Sequence, residues 1–202
     1  MQKPKITIGV CTGGTIRVET ATSLISAMIN IAQQGLMANI LFQIGGYVDI
    51  NRNKIVETAL EAGTTHLMFV DNDMVFPDDG IMRLLKQDKD IIGANYNIRL
   101  DPTSHEFSGP TTKMLVDGKP VSMLSKNFPK KPFKCYALAT GFMMINTKVF
   151  EELKKPYFEA TIDKFGRHTT EDIDFCQKAG KKDFEIWCDP RIKIGHIGSY
   201  TY

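Results

Sequence analysis

The apolar positions of this chain follow two rhythms in turn. Short runs such as "KITIGVC" (5–11), "ANILFQI" (38–44), "THLMFVD" (65–71) and "DIIGANY" (90–96) are apolar and rich in β-formers, as buried strands are. Between them the period lengthens. "ETATSLISAMINIAQQG" sets Leu24, Ile25, Met28, Ile29 and Ile31 or Ala32 at helical spacing. "DINRNKIVETALEAG" (49–63) sets Ile55, Val56, Ala59 and Leu60 on one face. Gly35 and Gly63 follow these runs as stop signals. A third helix is predicted in "PDDGIMRLLKQ", with Pro77 in its first turn and Asp78 and Asp79 at its positive end. Strand–helix alternation of this kind predicts a three-layer α/β/α fold around a mostly parallel mixed sheet. Ligands of such sheets sit beyond the C-terminal ends of the strands.

The rhythm loosens after residue 96. Residues 97–135 are rich in Pro, Gly, Ser and Lys, and in "KMLVDGKPVSM" the Asp117-Gly118 pair predicts a hairpin. "YALATGFMMINTKVFEEL" reads as a strand entering a helix, and "HTTEDIDFCQKAGKK" as a helix capped by Thr169 or Thr170. "FEIWCDP" reads as a strand and "RIKIGHIGSY" as a final strand or loop. Neither a repeat nor a domain boundary is visible, so one domain spanning 1–202 is the simplest account.

Composition narrows the function classes. The 202 residues are 43% hydrophobic and 24% charged, an ordinary globular balance, and the net charge of +2 gives no reason to expect a nucleic-acid partner. The basic run "KNFPKKPFK" (126–134) reads as a solvated loop, or as a patch facing an anionic substrate. Cys11, Cys135, Cys176 and Cys188 include no CxxC pair, which argues against a structural zinc site and for a reducing, cytoplasmic setting. The start "MQKPKITIGV" reads as a strand, not a signal peptide, and no run of about 18 apolar residues predicts a membrane span.

Four stretches could carry chemistry. "FVDNDM" ends an apolar strand in Asp71 and Asp73. Alone, such a pair fits a turn. At a strand end, two adjacent carboxylates repel unless a proton or cation intervenes, and Mg²⁺ or Mn²⁺ with a diphosphate is a sensible cation. Glu171 and Asp172 open a helix, where they serve as dipole-compensating acids or as a general base. His196 stands between Gly195 and Gly198, where the backbone can approach a ligand closely. "CTGGT" after the first strand lacks phosphate-loop spacing but could let a nucleotide lie on that strand's end. His66, His105 and His168 have no motif around them and read as structural.

In order, "ITIGVCT", "NRNKIVETAL", "HLMFVDNDMVFPDDGIMRLL", "DIIGANY", "ATGFMMINTKVFEEL", "TEDIDFCQKAG" and "GHIG" resemble the GT-A glycosyltransferases, the nucleotide-diphospho-sugar transferase fold, and within it the family-two-like enzymes. The resemblance covers nearly the whole chain. It implies a nucleotide-binding half (1–96) and an acceptor and catalytic half (97–202). It implies that Asp73 coordinates Mn²⁺ or Mg²⁺ directly, that His196 completes the protein ligands, and that Asp71 contacts the ribose or reaches the metal through water. Thr12, Gly13, Arg52 and Asn72 would lie near the nucleotide, with Asp49 or Gln43 at the base. Gly141 and Phe142 would line the sugar pocket. Asp172, with Glu171 second, would deprotonate the acceptor hydroxyl. The implied donor is a nucleotide-diphosphate sugar, and the acceptor a glycan, lipid, protein or small molecule.

The chain departs from the family pattern in carrying "IGGYVDINRN" where "DDGSxDxT" is usual, and in ending soon after His196, as a minimal domain or one lacking a closing segment would. Two other classes compete. A nucleotidyltransferase would make a nucleotide sugar; its usual glycine-rich loop is matched only faintly by "TGGTIRVET". A non-catalytic glycan-binding relative would keep the fold alone.

Overall fold

The computed structural model describes residues 3–98, 109–162, 166 and 168–198; His105 lies outside them. The chain runs β1 (Lys5–Thr12), α1 (Val18–Gln33), β2 (Met37–Ile44), α2 (Val48–Glu61), β3 (His66–Val70), β4 (Met74–Val75), α3 (Gly80–Leu85) and β5 (Ile91–Gly93). It continues with β6 (Lys113–Val116), β7 (Lys119–Ser122), β8 (Phe133–Cys135), β9 (Phe142–Asn146), α4 (Lys148–Glu152), β10 (Thr161–Ile162) and β11 (His168–Thr169). Then come α5 (Glu171–Gly180), β12 (Ile186–Cys188) and β13 (Gly195–His196).

Seven strands form the central sheet in the order β2-β1-β3-β9-β5-β12-β8. β1 pairs in parallel with β2 and β3, and β12 with β5. β9 lies antiparallel between β3 and β5, and β8 antiparallel to β12. The expected mostly parallel mixed sheet is therefore present. Strand alternation sends side chains to two cores. Ile6, Ile8, Val10, Met68, Val70 and Met144 face α1 and α3, whereas Leu67, Phe69, Met143 and Ile145 face α2, α4 and α5. Gly9 lies on the α2 face, where an added Cβ would sit 2.4 Å from Ile55 Cγ2, so the helix packs directly onto the strand backbone.

Two local expectations are corrected, and a third is met in position only. The third helix covers only Gly80–Leu85. Pro77–Asp79 form a turn, with the Gly80 N–H on the Pro77 carbonyl at 2.9 Å, so Pro77 precedes the helix instead of opening it. The strand predicted over 90–96 stops at Gly93. Beyond it, Asn95 accepts from the Thr112 N–H and hydroxyl, and Tyr96 turns under the sheet's end. Thr170 is the N-cap of α5, but its hydroxyl bonds the Asp172 carboxylate and not a helix N–H. The Asp117-Gly118 hairpin is as expected: both residues have positive φ, 48° and 73°, as a tight hairpin turn demands.

Candidate functional site

β1 and β3 end side by side, and their alternation decides where the next side chains go. Phe69 faces α2 and Val70 the opposite core, so Asp71 returns to the α2 face. There Arg52 lies one turn before the inward residues Ile55 and Val56. Arg52 is 3% exposed, and its guanidinium lies 5.4 Å from the centroid of the Phe69 ring. It donates through Nη2 to Asp71 Oδ1 at 3.1 Å and through Nε to Glu171 Oε1 at 3.2 Å. One buried cation therefore ties the strand end to the start of α5. Burial opposes the Arg52 charge, but the carboxylates of Asp71 and Glu171 outweigh it and hold the guanidinium protonated. Burial raises Glu171 above its usual range against the pull of Arg52, with Asp172 adding to the rise.

The Asp71–Asp73 turn is pinned on several sides. The Asp71 N–H donates to the Gly141 carbonyl, the Arg17 N–H to the Asn72 carbonyl, and the Ile197 N–H to the Asp73 carbonyl, each at 2.9–3.0 Å. Asn72 Nδ2 donates to the Thr15 carbonyl at 2.9 Å, joining this turn to the loop after β1. β4 pairs with β13 in register Met74–His196, which brings His196 beside Asp73. His196 Nδ1 lies 2.9 Å from the Asn97 carbonyl oxygen, an acceptor, so Nδ1 carries the proton. Nε2 then faces Asp73 Oδ1 at 3.5 Å. Metal-binding histidines commonly anchor one ring nitrogen on a carbonyl in this way, and the pair also fits a His–Asp ion pair. These two donors suit a hard divalent cation that takes one or two protein ligands and leaves other positions to phosphate and water. Asp71, held by Arg52, does not join them as a third close ligand. Among the described residues no group of three or more His, Cys, Asp or Glu stands close enough to hold a metal ion.

Around this turn lies an open cleft of about 300 Å³. Its walls are Cys11, Thr12 and Gly13 from the end of β1, Gly45, Gly46, Val48 and Asn51 from the β2–α2 junction, and Asp71, Asn72, Asp73 and His196. Larger depressions of about 450 Å³ between β8 and α5 and about 570 Å³ beside Arg83 and Arg191 do not gather acids in this way, which makes the smaller cleft the candidate site. Thr12, Gly13, Asp71, Asn72, Asp73 and His196 all line this one cleft. Arg52 and Glu171 do not line the cleft; Arg52 reaches it only through its ion pair with Asp71, and Glu171 is held on the far side of Arg52. Asp172 accepts the Ile173 N–H at 2.7 Å and is not among the cleft-lining residues. Phe142 is fully buried, its ring 4.9 Å from that of Phe76, so it supports the strand instead of offering a surface. Gly141 is a close-approach glycine, since a Cβ there would lie 2.4 Å from the Tyr96 hydroxyl and 2.8 Å from Asp71 Oδ2. Asp49 accepts the Ile50 N–H and Gln43 donates to the Ile44 carbonyl; neither lines the cleft.

Sequence reasoning missed Tyr96, Asn51 and Cys11. The Tyr96 hydroxyl accepts the Gly141 N–H at 3.0 Å, and its ring meets the His196 ring edge-on at 5.2 Å. Burial, with Asp71 adding, pushes its ionisation well above the usual range, so it stays a neutral hydroxyl. Asn51 donates to the Gly45 carbonyl at 3.1 Å and shapes the cleft floor. Its inward position on α2, one residue before Arg52, was the available signal.

No family model matches the chain, and no curated protein matches it in sequence. Solved structures share its fold. The crystal structure of A197 from STIV aligns with a TM-score of 0.61 and 17% identity, over 96% of this chain and 86% of that one. UDP-glucose pyrophosphorylase complexed with UDP-glucose aligns with a TM-score of 0.50 and 9% identity, over 96% and 92%. Identities this low establish the common α/β architecture. Among the described residues no helix is long and apolar enough to cross a membrane.

Proposed function

We propose that this chain is a divalent-metal-dependent glycosyltransferase that moves a sugar from a nucleotide-diphosphate sugar to an acceptor hydroxyl. The observation that carries the reading is the meeting of Asp73 with an Asn97-anchored His196 in a cleft at the parallel strand ends. A solved protein of this fold is complexed with UDP-glucose, which supports a nucleotide sugar as the ligand class. Residues 1–96 would bind the nucleotide and 97–202 supply acceptor and catalytic groups. Thr12, Gly13 and Asn72 would border the nucleotide, Asp71 the ribose, and the Gly141 backbone the sugar. Asp73 and His196 would hold Mn²⁺ or Mg²⁺, which supplies positive charge against the departing diphosphate. Arg52 keeps Asp71 in place. Asp172, on the helix start beside the cleft and not among its lining residues, would be the proton acceptor for the attacking hydroxyl, and Glu171, tied to Arg52, would fix the helix start that carries it.

Nucleotidyl transfer is the second reading, because the fold is shared with a pyrophosphorylase. One experiment separates the two. The protein is incubated with a panel of nucleotide sugars and Mn²⁺, and separately with nucleoside triphosphates and sugar phosphates. Release of nucleoside diphosphate in the first set, lost in Asp73→Ala, supports glycosyl transfer. Pyrophosphate release in the second set assigns nucleotidyl transfer, and inertness in both removes the enzymatic reading.

A further inference from the structure

The two edges of the central sheet differ in kind. β8 is three residues long, follows Pro132 and places Lys134 outward in an ion pair with Glu185. Short length, proline and lysine are the devices by which edge strands avoid pairing with other chains. β2, at the other edge, has none of them. It is eight residues long, "MANILFQI", and among the described residues only β1 pairs with it. Met37 is 75% exposed, Phe42 48% and Ile44 66%. From Thr20 to Val48 there is not one Asp, Glu, Lys or Arg, in a chain that is 24% charged.

We propose that the outer edge of β2 is a self-association surface, on which a second copy of this chain adds its own β2 antiparallel and joins the two sheets. Three observations select a second copy. An antiparallel strand paired with itself about a two-fold axis matches each outward N–H and carbonyl with its own counterpart, so the surface is its own complement. The strand and the stretch of chain from Thr20 to Val48 that holds it carry no charge, so two copies of β2 meet without like-charge repulsion from the strand itself, and the strand offers no ionic group for a charged partner to recognise. Residues directly opposed across antiparallel strands share a face. Phe42 and Ile44 lie on the α1 face with Ala38 and Ile40, so these two exposed side chains of both copies fall together on that face, while Met37 lies on the other.

The test is light-scattering mass across a dilution series, together with amide hydrogen exchange in β2. The native chain is expected at twice 22.7 kDa, with β2 amides that point away from β1 protected at high concentration and exchanging on dilution. The Phe42→Lys/Ile44→Lys variant is expected at a single chain's mass, without that protection, and with an unchanged circular-dichroism spectrum. A native chain at one chain's mass throughout overturns the proposal, as does a folded lysine variant that stays dimeric. Protection of β2 gained by a monomer only on phosphatidylcholine vesicles also overturns it, in favour of a membrane surface. If the lysine variant fails to fold, the concentration dependence of exchange in the native chain decides alone.

Discussion

Replacing Arg52 with methionine is the perturbation whose size follows most directly from the structure. The side chain keeps its apolar stem against Phe69 and loses the cation between Asp71 and Glu171. Removing one member of a buried ionic cluster leaves the others uncompensated and costs about 3–5 kcal/mol. For a chain of this length each kcal/mol moves the melting temperature by about 2–4 °C, so the fall should be roughly 6–20 °C. The pH dependence carries the sign. Glu171 is already raised by burial, and Arg52 is a group that lowers it, so the variant raises it further. An acid whose folded pKa is raised contributes stability that is present below its unfolded value, near 4.5, and lost as pH rises through the folded value. The variant's deficit should therefore be small near pH 4 and grow toward pH 8. Melts of both proteins across that range provide the assay, with Arg52→Met/Glu171→Gln expected to recover part of the loss. A deficit that is independent of pH, or below about 1 kcal/mol, would refute the assignment of Arg52 as the buried counter-ion.

Three further outcomes are expected. Gly141→Ala puts a methyl group against the Tyr96 hydroxyl and Asp71, and should destabilise by about 1–3 kcal/mol in a denaturant titration. Asn53→Ala removes an acceptor for the Tyr157 and Phe158 N–H groups and a donor to the Phe158 carbonyl, and should cost about 1–3 kcal/mol by the same measurement. Burial pushes the thiols of Cys11 and Cys188 up to about 11 and that of Cys176 up to about 12, so a thiol reagent at pH 8 should label the native chain slowly and the unfolded chain at once.

The β/α alternation of residues 5–93 was legible because its periods are long and clean, and because the first two helices each end just before a glycine, Gly35 and Gly63. The place of β9 was not. "FMMI" is apolar on both faces, as any central strand is, so nothing local says that it inserts antiparallel between β3 and β5. The acids of the Asp71–Asp73 turn stood out because carboxylates are unusual after a buried strand. His196 could be linked to them only through family resemblance, since the β4–β13 pairing that joins them spans residues 74 to 196. Tyr96 was invisible for a related reason. It ends an apolar run and reads as core, while its hydroxyl partner, Gly141, lies 45 residues on. Phe142 shows the reverse case, a residue carried to the site by motif that packing keeps in the core.

The central claim is that Asp73 and His196 hold a divalent ion together with a nucleotide diphosphate. The most direct measurement is the melting temperature with uridine or guanosine diphosphate, with and without Mn²⁺, for the native chain and for Asp73→Asn. Saturation at about 100 times the dissociation constant stabilises by about 2.7 kcal/mol, which is roughly 5–11 °C here. That rise is expected for the native chain only when Mn²⁺ is present, with its loss on chelation and no rise in Asp73→Asn. Equal shifts with and without Mn²⁺, or an undiminished shift in Asp73→Asn, would contradict it.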